Sequence, residues 1–117
     1  MKDCYYCENQ NFIIENELAG AFYDQVPISK GHMLVIPKRH TPDYFQLTNE
    51  EKKDIDELIM KSKTLLDEQY SPTGYNIGTN CGTDAGQSTM HSHIHLIPRY
   101  KGDTPNPRGG IRNMLPS

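Results

Sequence analysis

The chain has 117 residues, with 12 Lys or Arg against 15 Asp or Glu, five His and three Cys, and a net charge of −3. That length allows one domain with a real core and no need of disulfides, and the charge gives no support to a nucleic-acid polymer as ligand. No apolar run approaches a membrane span and Met1-Lys2-Asp3-Cys4 is not an apolar signal segment, so a soluble cytoplasmic protein is expected, with Cys4, Cys7 and Cys81 reduced.

In chain order, Cys4-Tyr5-Tyr6-Cys7 brings two thiols within reach of one metal ion. Alone it is a weak signal, because a structural zinc wants four ligands. Phe12–Glu15 and Leu18–Tyr23 read as two short strands around Asn16 and Glu17, and Gln25–Lys30, with Pro27, as a loop. Gly31–Pro37 is the clearest strand of the first half, and Lys38-Arg39-His40 follows it. Thr48 stands at capping-box spacing before Glu51, and Ile55, Leu58, Ile59, Ser62, Leu65 and Leu66 then recur as one buried helical stripe. Ser71-Pro72 ends that helix. Its charged outer face reads as solvated surface.

Gly74–Asn80 alternates as an antiparallel strand, and the loop Cys81–Ser88 delivers the chain to His91-Ser92-His93-Ile94-His95-Leu96-Ile97. As a strand, this segment places three imidazoles on one face about 6–7 Å apart. Pairing of the two strands puts Asn76, Asn80, Gln87 and Ser88 beside them. The tail 99–117, rich in Pro and Gly, reads as an ordered loop or a frayed end; Arg108 and Arg112 are its candidates for phosphate contact. No internal repeat or second domain is evident.

Three readings of the histidine row are open. It could be a solvated polar face. It could also hold a catalytic zinc, although nitrogens of one tetrahedral ion lie about 3.3 Å apart, which consecutive same-face strand positions do not easily supply. The third is nucleophilic: neutral imidazole attacks phosphorus near pH 7, while His95, Gln87, Asn80 and backbone N–H groups of Gly86–Ser88 donate to the phosphoryl oxygens.

The segment His91–Ile97, preceded by Gly86-Gln87-Ser88, closely resembles the signature of the histidine triad (HIT) superfamily, His-φ-His-φ-His-φ-φ with φ apolar. Phe22-Tyr23-Asp24, Gly31-His32, Leu34–Pro37 and Pro98-Arg99-Tyr100 resemble further segments of the same family. Ser92 departs from it, where φ is normally apolar. The resemblance implies that His93 is a nucleophile that becomes nucleotidylated, with the His91 carbonyl holding its Nδ1–H. It implies phosphate contacts from His95 and Gln87, a hydroxyl near the leaving group from Ser88, and Asn80 near the phosphates. Asp24 is implied at the ribose, Phe22 beside the base, and His32 as a buried partner behind the triad, although a plain core histidine fits as well. Similarity to bacterial zinc-containing members implies a structural zinc on Cys4, Cys7, His40 and His91; the alternative is two free thiols.

The expected fold is α+β and HIT-like, one domain over 1–117. It comprises an antiparallel sheet of about five strands, one long helix and a short helical turn near Asp43–Leu47. The family implies a homodimer acting on a small nucleotide. The expected activity is hydrolysis or transfer at the α-phosphate of a nucleoside phosphoramidate, a dinucleoside polyphosphate or an adenylylated group. A purine-nucleotide binding or sensing module with negligible turnover is the alternative.

Overall fold

The computed structural model describes residues 3–115. Five strands, β1 (Ile14–Glu15), β2 (Ala19–Tyr23), β3 (Met33–Pro37), β4 (Gly74–Gly78) and β5 (Ile94–Arg99), form one antiparallel sheet in the order β1-β2-β3-β5-β4. A four-residue helical turn, α1 (Tyr5–Glu8), precedes the sheet, and the long helix α2 (Asn49–Tyr70) links β3 to β4. The expected short turn is a 3₁₀ segment at Tyr44–Gln46; two more cover Thr83–Ala85 and Gly110–Met114. The α+β class, five-stranded sheet and single long helix expected from the sequence are all present. No helix among the described residues is long and apolar enough to cross a membrane.

Strand register decides which face does what. Val35 lies opposite Ala21 on one side and Ile94 on the other, and Met33 lies opposite Leu96. These residues and Ala19 turn toward α2, where Ile55, Leu58 and Leu66 complete the core. With a period of two, burying that set obliges the alternate residues to the other face. There Phe22, Leu34, His95 and Gly78 form one cross-strand row. Gly20 sits in the same strand as Phe22, and a Cβ there would collide with the Phe12 ring, whose centroid lies 6.2 Å from that of Phe22.

The helix begins where the capping box predicts. Thr48 Oγ1 accepts from Glu51 N–H at 3.1 Å, and Glu51 Oε1 accepts from Thr48 N–H at 2.9 Å. Glu51 is buried and also takes both Nε (3.1 Å) and Nη2 (2.8 Å) of Arg39, which drives its carboxyl below the usual range. That bidentate pair ties the segment after β3, and so His40, to the first turn of α2. At the other end Ser71, rather than turning extended before Pro72, takes a left-handed cap (φ 50°, ψ 51°) and donates its N–H to Asp67 O.

One expectation is corrected. The histidine segment is not one continuous strand, since the sheet ladder begins only at Ile94. Ser92 N–H donates instead to Thr41 O at 2.7 Å, and Thr79 Oγ1 donates to His93 O at 2.8 Å. The first bond turns Ser92 to the segment after β3, and the second replaces the backbone ladder at His93 with a side-chain bond, so β4 ends at Gly78, two residues short of Asn80.

Candidate active site

His93 is 6% exposed, and its Nδ1 lies 2.8 Å from the His91 carbonyl oxygen. A carbonyl only accepts, so the proton is on Nδ1 and the Nε2 lone pair is free. The centroid of the His95 ring lies 5.3 Å from that of His93.

His95 has its own tautomer chain. Ile28 N–H donates to His32 Nδ1 at 3.3 Å, which places the His32 proton on Nε2. That nitrogen is 2.9 Å from His95 Nδ1 and 3.5 Å from Asp24 Oδ2. His95 Nδ1 therefore accepts, and its proton sits on Nε2. Burial, then the neighbouring His93 and His32, push the His95 imidazole down to about 4, and burial also lowers His32 against the pull of Asp24. Both rings are neutral at pH 7, and His95 presents an N–H donor. His32 is buried as this partner rather than as a bystander in the core.

A cavity of about 420 Å³ opens over these groups, lined among others by Asp24, His32, Asn76, Asn80 and His95. A smaller hollow lies on the other side of Asp24, bounded by Tyr6, Phe22, Gln25 and Leu34. Asp24 thus stands between the two, with its Oδ1 accepting from Val26 N–H at 3.0 Å.

The N-terminal thiols meet two histidines. Cys4 Sγ is 3.2 Å and Cys7 Sγ 3.4 Å from His91 Nδ1, and Cys7 Sγ is 3.4 Å from His40 Nδ1. His91 Nε2 donates to Pro37 O at 2.8 Å, which turns the Nδ1 lone pair toward the sulfurs. Cys7 N–H donates to Cys4 Sγ at 3.3 Å. Bond lengths of about 2.3 Å to sulfur and 2.0–2.1 Å to nitrogen give a tetrahedral ion ligand–ligand edges of roughly 3.3–3.8 Å. All four donor atoms lie within 4.8 Å of one another, so the set suits such an ion. Burial and the facing Cys4 sulfur push the Cys7 thiol up, a penalty that a cation reverses. By contrast, His91, His93 and His95 do not converge: their Nδ1 atoms are directed to the thiols, to a backbone carbonyl and to His32 respectively.

Two candidates stand differently from the plain expectation. Gln87 is buried, with Oε1 accepting from Gly82 N–H (2.8 Å) and Nε2 donating to Pro42 O (2.6 Å) and Thr89 O (3.0 Å), so its amide braces the Cys81–Ser88 loop. The N–H groups of Gly86 and Gln87 are likewise turned inward, to Thr83 O and Gly82 O. Ser88 is exposed, and Asn80 lines the larger cavity with His95. The tail turns Ile111 and Met114 to that cavity, while Arg108 and Arg112 are exposed. Sequence reasoning also passed over Tyr6, whose ring centroid is 5.2 Å from that of His93 and 5.6 Å from that of Phe22. Its place between two metal-spaced cysteines was the available signal.

An antiparallel sheet whose free face carries His95, with His93 and His91 leading into its strand and a fourth histidine behind, defines the histidine-triad class of fold and site. The model of the HIT domain family matches residues 8–102, and the chain belongs to that family. It is 40% identical over 92 residues to Protein hit of Bacillus subtilis, covering 78% of this chain and 63% of that one. To the asymmetrical bis(5'-nucleosyl)-tetraphosphatase of Schizosaccharomyces pombe it is 40% identical over 87 residues, covering 74% and 48%. The chain thus spans about half to two thirds of the length of these curated relatives. A solved zinc-bound histidine triad family protein from Mycobacterium smegmatis matches with a TM-score of 0.80 at 29% identity, covering 90% of this chain and 81% of that one.

Proposed function

We propose that the chain is a hydrolase or nucleotidyl transferase that cleaves at the α-phosphate of a nucleotide through a nucleotidyl-His93 intermediate. The substrate class is a nucleoside phosphoramidate, a dinucleoside polyphosphate or an adenylylated group. The observation that carries this reading is the 2.8 Å bond between His93 Nδ1 and the His91 carbonyl, which leaves Nε2 as the nucleophile. Family membership and the tetraphosphatase relative support the hydrolase class.

In this mechanism His93 Nε2 forms a bond to the α-phosphorus as the bond from phosphorus to the leaving group breaks, and the leaving group departs with a proton taken from solvent. Water then attacks phosphorus and returns a proton to solvent, the P–N bond breaks, and the nucleoside monophosphate is released with His93 regenerated. His95 Nε2–H, in the tautomer set by His32, donates to a non-bridging oxygen, and Asn80 donates beside it. Asp24 binds the ribose hydroxyls and Phe22 flanks the base. Ser88 faces the leaving group. Gln87 reaches the phosphates only by exchanging one of its bonds to Pro42 O or Thr89 O, so its first role is to hold the loop.

The same reading assigns a structural zinc, one per chain, to Cys4, Cys7, His40 and His91, supported by their mutual approach and by the zinc-bound relative. These four residues would hold the ion with no open position left, and so would cross-link α1, the segment after β3 and the start of the triad segment. Cytoplasmic residence keeps the two thiols reduced. A homodimer joined along the unpaired edge of β4 completes the assembly.

The test is substitution of His93 by Ala and by Asn, with turnover of adenosine phosphoramidate and diadenosine tetraphosphate. We expect losses of about a thousandfold or more for both variants, and a quenched wild-type reaction carrying one adenylyl group on His93 by peptide mass spectrometry. Undiminished turnover by the variants would sink the mechanism. Tight nucleotide binding by the wild type without turnover or adduct would make the chain a binding module instead.

A further inference from the structure

Tyr6 has no part in the chemistry above, yet it touches both halves of the site. It lies on α1 between Cys4 and Cys7, the two sulfur donors of the N-terminal cluster. Its ring meets the imidazole of His93 at 5.2 Å between centroids with the planes 64° apart, and that of His91 at 5.9 Å and 90°. On its far side it contacts Phe22 at 5.6 Å. His93 is only 6% exposed, and the Tyr6 ring is one of the groups that cover it.

A helical segment of four residues does not hold its shape alone. The approach of Cys4 Sγ, at its N-cap, and Cys7 Sγ to His91 and His40 ties α1 to the sheet beside the packing of Tyr6 on Phe22, and the bond from Cys7 N–H to Cys4 Sγ closes the turn itself. The position of the Tyr6 ring therefore depends on the state of that cluster. We propose that Tyr6 is a positioning residue that couples the Cys4/Cys7/His40/His91 cluster to the nucleophile. With the cluster closed around a metal, the ring holds the His93 imidazole edge-on and shields it from water. With the cluster open, α1 loosens, the ring withdraws, and His93 is uncovered and loses its alignment. Metal occupancy thereby sets the reactivity of a histidine that does not bind the metal. The inference rests on the reading of His93 as nucleophile, but its geometry can be tested without nucleotide.

The probe is carbethoxylation by diethyl pyrocarbonate, which reports access to a neutral imidazole nitrogen and is read residue by residue from peptide masses. Labelling of His93 is compared in the wild type, Tyr6→Ala and Tyr6→Phe, each before and after chelation, with bound metal measured by elemental analysis. Chelation is expected to speed labelling of His93 severalfold in the wild type. Tyr6→Ala is expected to show the same acceleration while still holding its metal, with no further gain on chelation, because the two changes act through one contact. Tyr6→Phe, which keeps the ring, returns the slow rate. In single-turnover adenylylation Tyr6→Ala loses about tenfold in rate with little change in nucleotide affinity, and Tyr6→Phe recovers most of it.

Wild-type labelling in metal-loaded Tyr6→Ala, or equal acceleration by chelation with and without the ring, would overturn the proposal. So would labelling of buried His32 in step with His93, since metal loss would then act by general unfolding. Should Tyr6→Ala fail to keep its metal, Tyr6→Leu makes the same comparison with an apolar side chain that lacks the aromatic edge. Absence of an adenylyl adduct on wild-type His93 would remove the proposed activity and leave the labelling comparison to decide the coupling.

Discussion

His95 is held neutral by burial and by two neighbouring imidazoles, and that has a consequence for stability that can be given a sign. Its folded value of about 4 lies below the roughly 6.5 of a free histidine. Between those values the unfolded chain takes up a proton that the folded chain refuses. Its contribution is therefore fully present above about pH 6.5 and is lost as pH falls toward 4. His32, also lowered by burial, acts in the same direction. The urea midpoint is expected to decline from pH 7 to 5, above the range where carboxylates such as Glu51 take over, and His95→Asn is expected to flatten that decline. An unchanged slope in the variant would show that His95 is not the group responsible. The same neutral state is what lets His95 offer a single N–H donor in a fixed direction, so one physical cause, desolvation, bears on both stability and the proposed chemistry.

At the scale of elements, the two helices reach their positions by different means. Helix α2 carries its own instructions: a capping box at Thr48 and Glu51, a stripe through Ile55, Leu58, Ser62 and Leu66, and a left-handed cap at Ser71 before Pro72. The turn α1 is capped only by the Cys4 sulfur and fully buries no side chain of its own, so its placement rests on the cysteine–histidine cluster and on the packing of Tyr6 against Phe22 and His93. One zinc per chain is expected in the purified protein. Cys4→Ser and Cys7→Ser should each lose it and lower the thermal midpoint, whereas His95→Asn should retain it, as measured by elemental analysis and calorimetry. Retention of zinc without either cysteine, together with its loss in His95→Asn, would move the ion to the triad.

For the molecule as a whole, the strand order leaves β4 at an edge, paired with β5 alone, and Ile77 on that strand is a half-exposed aliphatic residue. Unpaired edges with apolar side chains invite another strand. The proposed homodimer uses this edge, and Ile77→Glu is expected to shift the sedimentation coefficient from dimer to monomer without altering the far-ultraviolet spectrum. A wild type that sediments as a monomer at micromolar concentration would remove the dimer from the reading. The tail lies against the same strand, with Ile111 within 3.7 Å of where a Gly78 Cβ would stand, so the edge and the cavity lining are parts of one surface.

What was legible in the sequence was local. The apolar run that ends at Pro37, the alternation of Gly74–Asn80, the helix with its cap, and the every-other-residue histidines each announce themselves within a few positions, because backbone periodicity and capping are short-range physics. The division of labour among His91, His93 and His95 was reached through family resemblance; spacing alone left them equivalent. The tertiary structure decided matters that depend on groups distant in the chain. Cys4 meets His91 across 87 positions, His32 meets His95 across 63, and Gln87 is drawn to Pro42 O across 45. No local pattern encodes which ring nitrogen carries a proton, that an amide placed to meet phosphate is already bonded to the backbone, or that Ile111 and Met114 rather than the tail arginines line the cavity. The proton positions and the Gln87 bonds follow from burial, which drives groups such as His32, His95 and Gln87 to bond wherever the fold brings a partner.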